Sequence, residues 1–150
     1  MIQFPECLRD FLMTSLPVSK GFYNWRNTTK ENVEYIKKII KQPMEDIEEM
    51  AEKIYWYDDW GDEPENTIDT TKAVKERLQK APKLIPIYSH RYIPMLIDTT
   101  NIPIISIHGI DVIYYGENLE DYFNVEFGSK RQDEIAFENI SPIPFWSEIM

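Results

Sequence analysis

Residues 84–116 contain four short apolar segments, rich in β-branched and aromatic residues and separated by turn-forming residues. The segments are Leu84–Tyr88, Tyr92–Ile97, Ile104–His108 and Asp111–Tyr115. Gaps this short allow only hairpin connections, because a parallel crossover needs about a dozen residues or more. The pattern therefore predicts an antiparallel meander of three or four strands.

Turn-forming residues and prolines mark the limits of these predicted strands. Residues 98–101 and 108–111 contain Asn, Asp or Gly, which tolerate the left-handed backbone of a tight reversal. Proline has no N–H to donate to a neighbouring strand, so Pro86, Pro94 and Pro103 are predicted at sheet edges, bulges or strand starts.

Apolar residues at helical spacing predict helices before the sheet. The first runs from Pro5 to Pro17, and its apolar positions are Leu8, Phe11, Leu12 and Leu16. The second starts at a capping box formed by Thr28 and Glu31 and is closed by Pro43. Its apolar face contains Val33, Ile36, Ile39 and Ile40.

Two further helices are predicted between Pro43 and the sheet. Residues 44–57 are interpreted as an amphipathic helix, with a strand left open as the alternative. The apolar positions of this segment are Met44, Ile47, Met50, Ala51 and Ile54. The next helix is capped by Asp69 or Thr70 and runs to about Lys80, with Pro82 stopping it. Its predicted core residues are Val74, Leu78 and Ala81.

After the sheet, one more helix is predicted before Gly128. Its apolar stripe consists of Leu119, Tyr122, Phe123 and Phe127. Residues 129–134 are predicted to form an exposed turn, and the apolar residues 140–150 are predicted to pack back on the core. The fold class predicted is α+β, with a central antiparallel sheet flanked by N-terminal helices and a C-terminal helix. Residues 1–150 are expected to form a single domain.

The charge of the chain narrows its expected partners. Sixteen basic and 26 acidic residues give a net charge of −10 at pH 7. Such a surface repels phosphate backbones and anionic lipids, so neither nucleic acid nor a membrane surface is expected as a partner. It would accelerate the encounter with a basic protein, although solubility alone is the alternative reason for the acidity.

Cysteine usage and the first residues indicate a cytoplasmic protein. The single Cys7 cannot form an intramolecular disulfide, which fits a reducing compartment, and a buried small hydrophobe is its favoured interpretation. Residues 1–12 lack a basic region followed by an apolar core, so no signal peptide is predicted. No apolar run reaches the roughly 18 residues of a membrane span.

Few residues are candidates for catalysis or metal binding. His90, His108 and Asp111 have suitable ligand atoms, and two turns could bring them together, yet their spacing matches no known metal site. Ser89 and His90 are neighbours predicted on opposite faces of a strand, which argues against a nucleophile with its base. No catalytic residue, metal or cofactor is therefore predicted.

Residues 55–65 combine aromatic rings with carboxylates, as protein-binding hot spots do, because rigid rings fill pockets and charges steer the approach. The candidate binding residues in this loop are Trp56, Tyr57, Asp58, Asp59, Trp60, Asp62 and Glu63. The alternative is that the rings anchor the loop and that the carboxylates form a solvated face. A second candidate surface, at the sheet edge, consists of Tyr88, Arg91 and Tyr92.

Several segments, taken together and in order, resemble the bacterial branch of the SUKH superfamily, also described as Smi/Knr-like or glucan-synthesis-regulator-like. The segments are Asn32–Ile36 with Gln42 and Pro43, Tyr55–Gly61, Ala81–Pro94 and Asp111–Tyr122. The resemblance covers roughly residues 32–128. Residues 95–100 depart from it, since they are less polar and acidic than the loop expected there.

The resemblance implies an α+β fold with a central antiparallel sheet flanked by helices, and it supplies no catalytic residues. Many bacterial members are immunity proteins that bind and neutralise toxins, often nucleases, whereas fungal relatives regulate cell-wall synthesis through protein contacts. The function expected is a cytoplasmic, non-enzymatic immunity protein that occludes a basic toxin domain. The alternatives are a regulatory or scaffold protein of the cell-wall regulator type and, more remotely, a metal-dependent enzyme.

Overall fold

The computed structural model describes residues 1–15, 17–97 and 99–150 and has the predicted α+β class. The α-helices are α1 (Glu6–Thr14), α2 (Lys30–Glu49), α3 (Thr67–Leu78) and α4 (Leu119–Phe127). The strands are β1 (Leu84–Tyr88), β2 (Arg91–Pro94), β3 (Ile104–His108) and β4 (Asp111–Gly116). Short 3₁₀ turns lie at Ala51–Lys53, Asp58–Trp60, Gln132–Glu134 and Phe137–Asn139. No helix of the described ranges has both the length and the apolar character needed to cross a membrane.

The four strands form one antiparallel sheet in the order β1-β2-β3-β4, which confirms the predicted meander. β2 ends at Pro94 and not at Ile97 as the apolar run predicted. The reason is local, because the N–H of Leu96 donates to the carbonyl of Pro94 (2.9 Å) and turns the chain out of the sheet. Of the turn predicted over residues 98–101, Asp98 lies outside the described residues.

Each two-residue hairpin loop begins with a positive φ, at Ser89 (48°) between β1 and β2 and at Gly109 (62°) between β3 and β4. Glycine adopts this left-handed region without strain, whereas the Cβ of serine is crowded there. Pro86 lies in the edge strand β1 beside a register shift, and Pro103 directly precedes β3, as predicted. Pro94 is instead the last residue of an inner strand.

The sheet separates two hydrophobic cores, because successive side chains of a strand point to opposite faces. The first, which we name the α2 core, joins the sheet to α2, α3 and the C-terminal segment. Its buried residues are Ile47, Ala51, Ile54, Val74, Leu78, Leu84, Tyr92, Ile105, Ile107, Val112, Ile143, Phe145, Trp146 and Ile149. The second, the α4 core, joins the other face to α1 and α4. Its buried residues are Leu8, Ile85, Ile87, Ile93, Ile102, Ile104, Leu119 and Tyr122.

The C-terminal segment packs back on the sheet, as its apolar composition predicts. Trp146 is fully buried, and its indole N–H donates to the carbonyl of Pro82 (2.9 Å). The hydroxyl groups of Ser147 and Tyr114 share a hydrogen bond of 2.5 Å. These contacts fix the end of the chain beneath the loop that follows α2.

α2 does not end before Pro43, where the sequence predicted its end, but continues to Glu49. A proline within a helix removes an N–H and leaves the carbonyl one turn earlier, here that of Ile39, without its donor. The hydroxyl of Tyr92 in β2 lies 3.4 Å from that carbonyl and replaces the missing donor. Pro43 is itself buried, so packing also offsets its effect on the helix.

The predicted helix over residues 44–57 is correct only in its first part. Residues 44–49 complete α2, and Ala51–Lys53 form a 3₁₀ turn. The chain is extended at Ile54, which is nevertheless buried in the α2 core. Ala51 lies in the 3₁₀ turn and is also buried. The helical spacing of the apolar residues therefore continues beyond the end of α2.

The starts of α2 and α3 differ slightly from the predicted caps. The N-cap of α2 is Thr29, not Thr28, and its hydroxyl accepts an N–H from the first turn (3.4 Å). The N-cap of α3 is Asn66, whose side chain accepts the N–H of Asp69 (2.9 Å). The predicted caps Asp69 and Thr70 thus lie inside the helix. Thr, Asn and Asp are all favourable N-caps, so composition does not choose among close candidates.

The first and last helices follow their predictions. α1 begins after Pro5 and ends at Thr14; Leu16, predicted in its apolar stripe, lies outside the described residues. α4 ends at Phe127 and is followed by Gly128. At Gly116 a Cβ would lie 2.6 Å from Cα of Tyr122, so glycine is required for α4 to pack this closely against β4.

Candidate functional site

The net charge of the protein is concentrated in residues 45–69. This stretch holds eleven of the 26 acidic residues and one of the 16 basic residues, so it carries −10 and the rest of the chain is neutral. Ten of the eleven carboxylates are exposed, and Asp46 is half-buried. We name this region the acidic surface. It consists of Glu45, Asp46, Glu48, Glu49, Glu52, Asp58, Asp59, Asp62, Glu63, Glu65 and Asp69.

The first part of the acidic surface arises from the amphipathic end of α2. Ile47 and Ala51 are buried in the α2 core, with exposed fractions of 0% and 1%. The side chains between and beside them therefore point to solvent, since a helix that buries one stripe exposes the opposite one. Those side chains include the carboxylates of Glu45, Glu48 and Glu52.

Two tryptophans fix the loop that carries the second part of the acidic surface. The indole N–H of Trp56 donates to the carbonyl of Gly61 (2.7 Å), which closes the loop on itself. The indole N–H of Trp60 donates to Oε2 of Glu148 (2.6 Å), which attaches the loop to the C-terminal segment. The ring of Trp60 also stacks on Phe145, with 6.0 Å between centroids and 11° between planes.

The guanidinium of Arg77, in α3, supports the same loop. Its Cζ atom lies 5.2 Å from the ring centroid of Trp56 and 4.8 Å from that of Trp60. It also donates to the carbonyls of Ala73 and Trp60, each at 3.2 Å. A cation over an aromatic face contributes about 0.5–2 kcal/mol, depending on its exposure. The guanidinium of Arg77 thus contacts aromatic rings and carbonyl groups, and it forms no ion pair within the described residues.

The aromatic and acidic residues that were predicted to form one hot spot differ in their burial. Trp56 and Trp60 are half-buried and pack against the α2 core. Tyr57 is also half-buried, and hydrogen bonding to the carboxylate of Asp59 raises the pKa of its hydroxyl. The predicted carboxylates are all exposed: Asp58, Asp59, Asp62 and Glu63. The tryptophans hold the loop, and the carboxylates form its outer face.

The carboxylates of the acidic surface have no cationic partner among the described residues. Six ion pairs occur there, and all of them lie outside residues 45–69. Unpaired carboxylates repel one another and attract cations from solution. The acidic surface therefore carries exposed carboxylates that form no ion pair with the residues described, although Glu45 and Glu48 line a groove together with Lys37, Lys41 and Lys83.

Two of the three residues of the second predicted surface do not lie at the sheet edge. Tyr88 lies in the edge strand β1, but Arg91 and Tyr92 belong to the inner strand β2 and are only 9% and 5% exposed. Arg91 donates to Glu126 of α4 and to Ser106 of β3, each at 2.9 Å. β2 pairs with β1 on one side and with β3 on the other, which is why the predicted edge position was wrong.

The two hairpin turns bring together two of the three metal candidates. The rings of His90 and His108 lie 6.0 Å apart between centroids, and His108 pairs with Asp111 across β3 and β4. Burial, followed by the charge of Arg91 and the neighbouring His108, lowers the pKa of His90. No group of three or more His, Cys, Asp or Glu residues in the described ranges could hold a metal ion.

Ser89 and His90 form the β1–β2 turn and do not lie on opposite strand faces as predicted. The hydroxyl of Ser89 lies 3.1 Å from Nδ1 of His90. A triad also needs a carboxylate that orients the imidazole, and no such hydrogen bond is found in the described part of the chain. Cys7 is half-buried, and burial raises the pKa of its thiol, which disfavours the reactive thiolate.

The sequence indicates a second carboxylate cluster beside the loop, at Glu45, Asp46, Glu48 and Glu49. A solvated acidic face is the favoured interpretation of this cluster, and a docking surface for a basic partner is the alternative. Arg77 and Glu148, which hold the loop in place, could not be identified from the sequence. Both are distant from the loop along the chain and contact it only in the tertiary structure.

No protein-family model matches this sequence, and neither the curated proteins nor the solved structures include a match to it. The fold defines a class, an α+β domain whose net charge lies in residues 45–69. The resemblance to the SUKH superfamily stays a prediction.

Proposed function

We propose that the protein is a non-enzymatic binding domain whose acidic surface binds a basic protein. The observation that supports this proposal is the concentration of the entire net charge in residues 45–69, where ten of the eleven carboxylates are exposed and none forms an ion pair among the described residues. Solubility requires net charge but not its concentration on one surface. A concentrated field of one sign instead steers a partner of the opposite sign and raises its association rate.

The fixed backbone of the loop adds to this proposal. Trp56 and Trp60 hold the loop through hydrogen bonds to Gly61 and Glu148, so its outer carboxylates keep their positions before a partner arrives. Binding then costs less conformational entropy than it would with a flexible loop. The surface is therefore suited to stable complexes as well as to rapid encounter.

The resemblance to bacterial SUKH proteins makes the proposal more specific. We propose that the partner is a toxin domain in the cytoplasm and that the acidic surface neutralises it by covering its basic active-site cleft. A nuclease toxin has such a cleft, because phosphate backbones are bound by basic side chains. In this mechanism the immunity protein makes and breaks no covalent bond.

The test compares two variants that remove the same number of negative charges. The loop variant carries Asp58→Asn, Asp59→Asn, Asp62→Asn and Glu63→Gln. The spread variant carries Glu31→Gln, Glu76→Gln, Glu120→Gln and Glu138→Gln. The partner is the product of the neighbouring gene, and its dissociation constant is measured by calorimetry together with rescue of cells that express it.

We expect the loop variant to bind about 30-fold more weakly and to lose rescue, because about 2 kcal/mol of interface charge contacts are removed. The spread variant should change affinity less than about threefold, since its charges lie outside the interface. Equal weakening by both variants would contradict the proposed surface. Rescue without measurable binding would contradict occlusion, and tight binding of a non-toxic partner would favour the regulatory alternative.

A further inference from the structure

A groove of about 400 Å³ opens at one border of the acidic surface, between the end of α2 and the turn end of the sheet. α2 contributes the carboxylates of Asp46 and Glu49 to its lining. The two hairpins contribute His90 and His108, which are the only two histidines of the chain. The groove therefore collects two acidic and two titratable basic side chains.

The rest of the lining is largely apolar. Pro43 comes from α2, Met50 directly follows α2, and Tyr92 and Ile107 come from the sheet. A lysine or arginine side chain has a matching division, with an apolar stem and a charged head. The stem would contact the apolar lining, and the head would lie near Asp46 and the exposed Glu49.

We infer that this groove receives a basic side chain of the protein partner and that protonation of the two histidines releases it as the pH falls. The inference rests on the proposed function, because the basic partner is the source of that side chain. It adds a defined subsite and a regulation by pH to a surface that otherwise attracts any cation.

The charges around the histidines determine the direction of this pH effect. With neutral imidazoles, Asp46 and Glu49 are the charged groups of the groove; a protonated imidazole adds positive charge beside them and weakens their attraction for a basic side chain. Burial lowers the pKa of His90, followed by the charges of Arg91 on β2 and His108 on β3, whereas Glu126 on α4 raises it. His108 lies opposite Asp111 on β4, and the only charged side chains that α2 contributes to the lining are the carboxylates of Asp46 and Glu49.

The experiment uses the full chain and an octa-arginine peptide, whose guanidinium groups do not titrate between about pH 5.5 and 7.5. For the natural sequence we expect the dissociation constant to rise about tenfold from pH 7.5 to 5.5, in proportion to the lost attraction. His90→Gln with His108→Gln should reduce this change to less than about twofold. Amide NMR shifts of Met50, Ile107 and Gly109 report whether the peptide occupies the groove.

The matched control neutralises the loop through Asp62→Asn and Glu63→Gln. It should weaken binding at both pH values without changing the ratio of the two dissociation constants. Asp46→Asn with Glu49→Gln should weaken binding at the higher pH and leave little further loss at the lower one. Binding that shifts only amides of residues 58–63, or a pH ratio that persists without the histidines, would overturn the groove but leave the proposed function intact. Absence of peptide binding at low salt would overturn both.

Discussion

Carboxylates have opposite roles on the two sides of the sheet. Beside the α4 core, Glu126 pairs with Arg91 at 2.9 Å and Asp121 pairs with Lys130, and all four side chains are largely shielded from solvent. On the acidic surface all carboxylates except the half-buried Asp46 are exposed, and none forms an ion pair among the described residues. The shielded pairs hold α4 and the chain that follows it in place, whereas the unpaired charges repel one another and oppose folding slightly.

The difference shows that burial, rather than the number of charges, decides what a carboxylate does here. A buried charge must be paired, because desolvation would otherwise cost several kcal/mol. An exposed charge is hydrated and is felt over about 8–10 Å at physiological salt. Changes on the α4 side should therefore alter stability first, and changes on the acidic surface should alter binding first.

The largest effect is expected from Arg91→Met. The substitution removes the cation from Glu126 and the donor from Ser106, and it also removes the guanidinium 3.7 Å from the ring centroid of Tyr115. We expect a loss of about 3–5 kcal/mol, since Glu126 is left buried without a partner. Urea denaturation measures the free energy of unfolding.

A double-mutant cycle with Glu126→Gln separates the ion pair from packing. Arg91→Met and Glu126→Gln together should cost about 1–2 kcal/mol less than the sum of the two single changes. Additive effects within about 0.3 kcal/mol would show that the pair is not coupled and would remove this half of the comparison.

Trp60→Ala should have the next largest effect, because it connects the acidic surface to the fold. The ring stacks on Phe145 and its N–H donates to Glu148, so its removal leaves a cavity in the α2 core and an unpaired acceptor. We expect a loss of about 2–4 kcal/mol. Trp60→Phe keeps a ring beside Phe145 and should cost roughly 1 kcal/mol. If Trp60→Ala leaves stability unchanged in thermal unfolding, the loop is not anchored by this ring.

Neutralising the loop should have a smaller effect of the opposite sign. The variant with Asp58→Asn, Asp59→Asn, Asp62→Asn and Glu63→Gln removes repulsion between exposed like charges. We expect it to gain about 0.5–1 kcal/mol in stability at low ionic strength and to lose that gain near 1 M salt. The spread variant removes the same number of negative charges from sites where the repulsion is weaker, so its stability should increase less. Destabilisation of the loop variant would mean that structural contacts of these carboxylates, such as the hydrogen bond between Tyr57 and Asp59, outweigh their repulsion.

The fold was predictable wherever the signal is local. The meander follows from apolar runs separated by turn residues, and α4 follows from a stripe that ends at Gly128. The continuation of α2 through Pro43 was not predictable, because the replacement donor is Tyr92 in a distant strand. Nor does composition reveal that Arg91 is buried, since that depends on which strand becomes the inner one.

The candidate site was predictable in part for the same reason. The carboxylates of residues 58–63 follow from composition, and their exposure agrees with it. The inward role of Trp60 depends on Phe145 and Glu148, which reach it only through the packing of the C-terminal segment. Exposure and pairing are properties of the tertiary structure, so the sequence suggests the charges but not which of them are free.

The smallest effect concerns His90, which contacts both regions, because it lines the groove beside the acidic surface and faces Arg91 and Glu126. Its pKa is lowered in the folded state, so protonation favours the unfolded chain. The contribution of His90 is therefore fully present above the ordinary imidazole pKa of about 6.5 and is lost as the pH falls through the lower folded value.

His90→Gln should remove that part of the pH dependence, which is measured as the free energy of unfolding between about pH 8 and 5.5, where most carboxylates stay ionised. The natural sequence should lose stability relative to the variant as the pH falls, by less than about 1 kcal/mol because His90 is largely exposed. Parallel curves for the two proteins would show that the groove leaves this imidazole unperturbed. The two sides of the sheet would then differ in pairing alone, with no titratable group linking them.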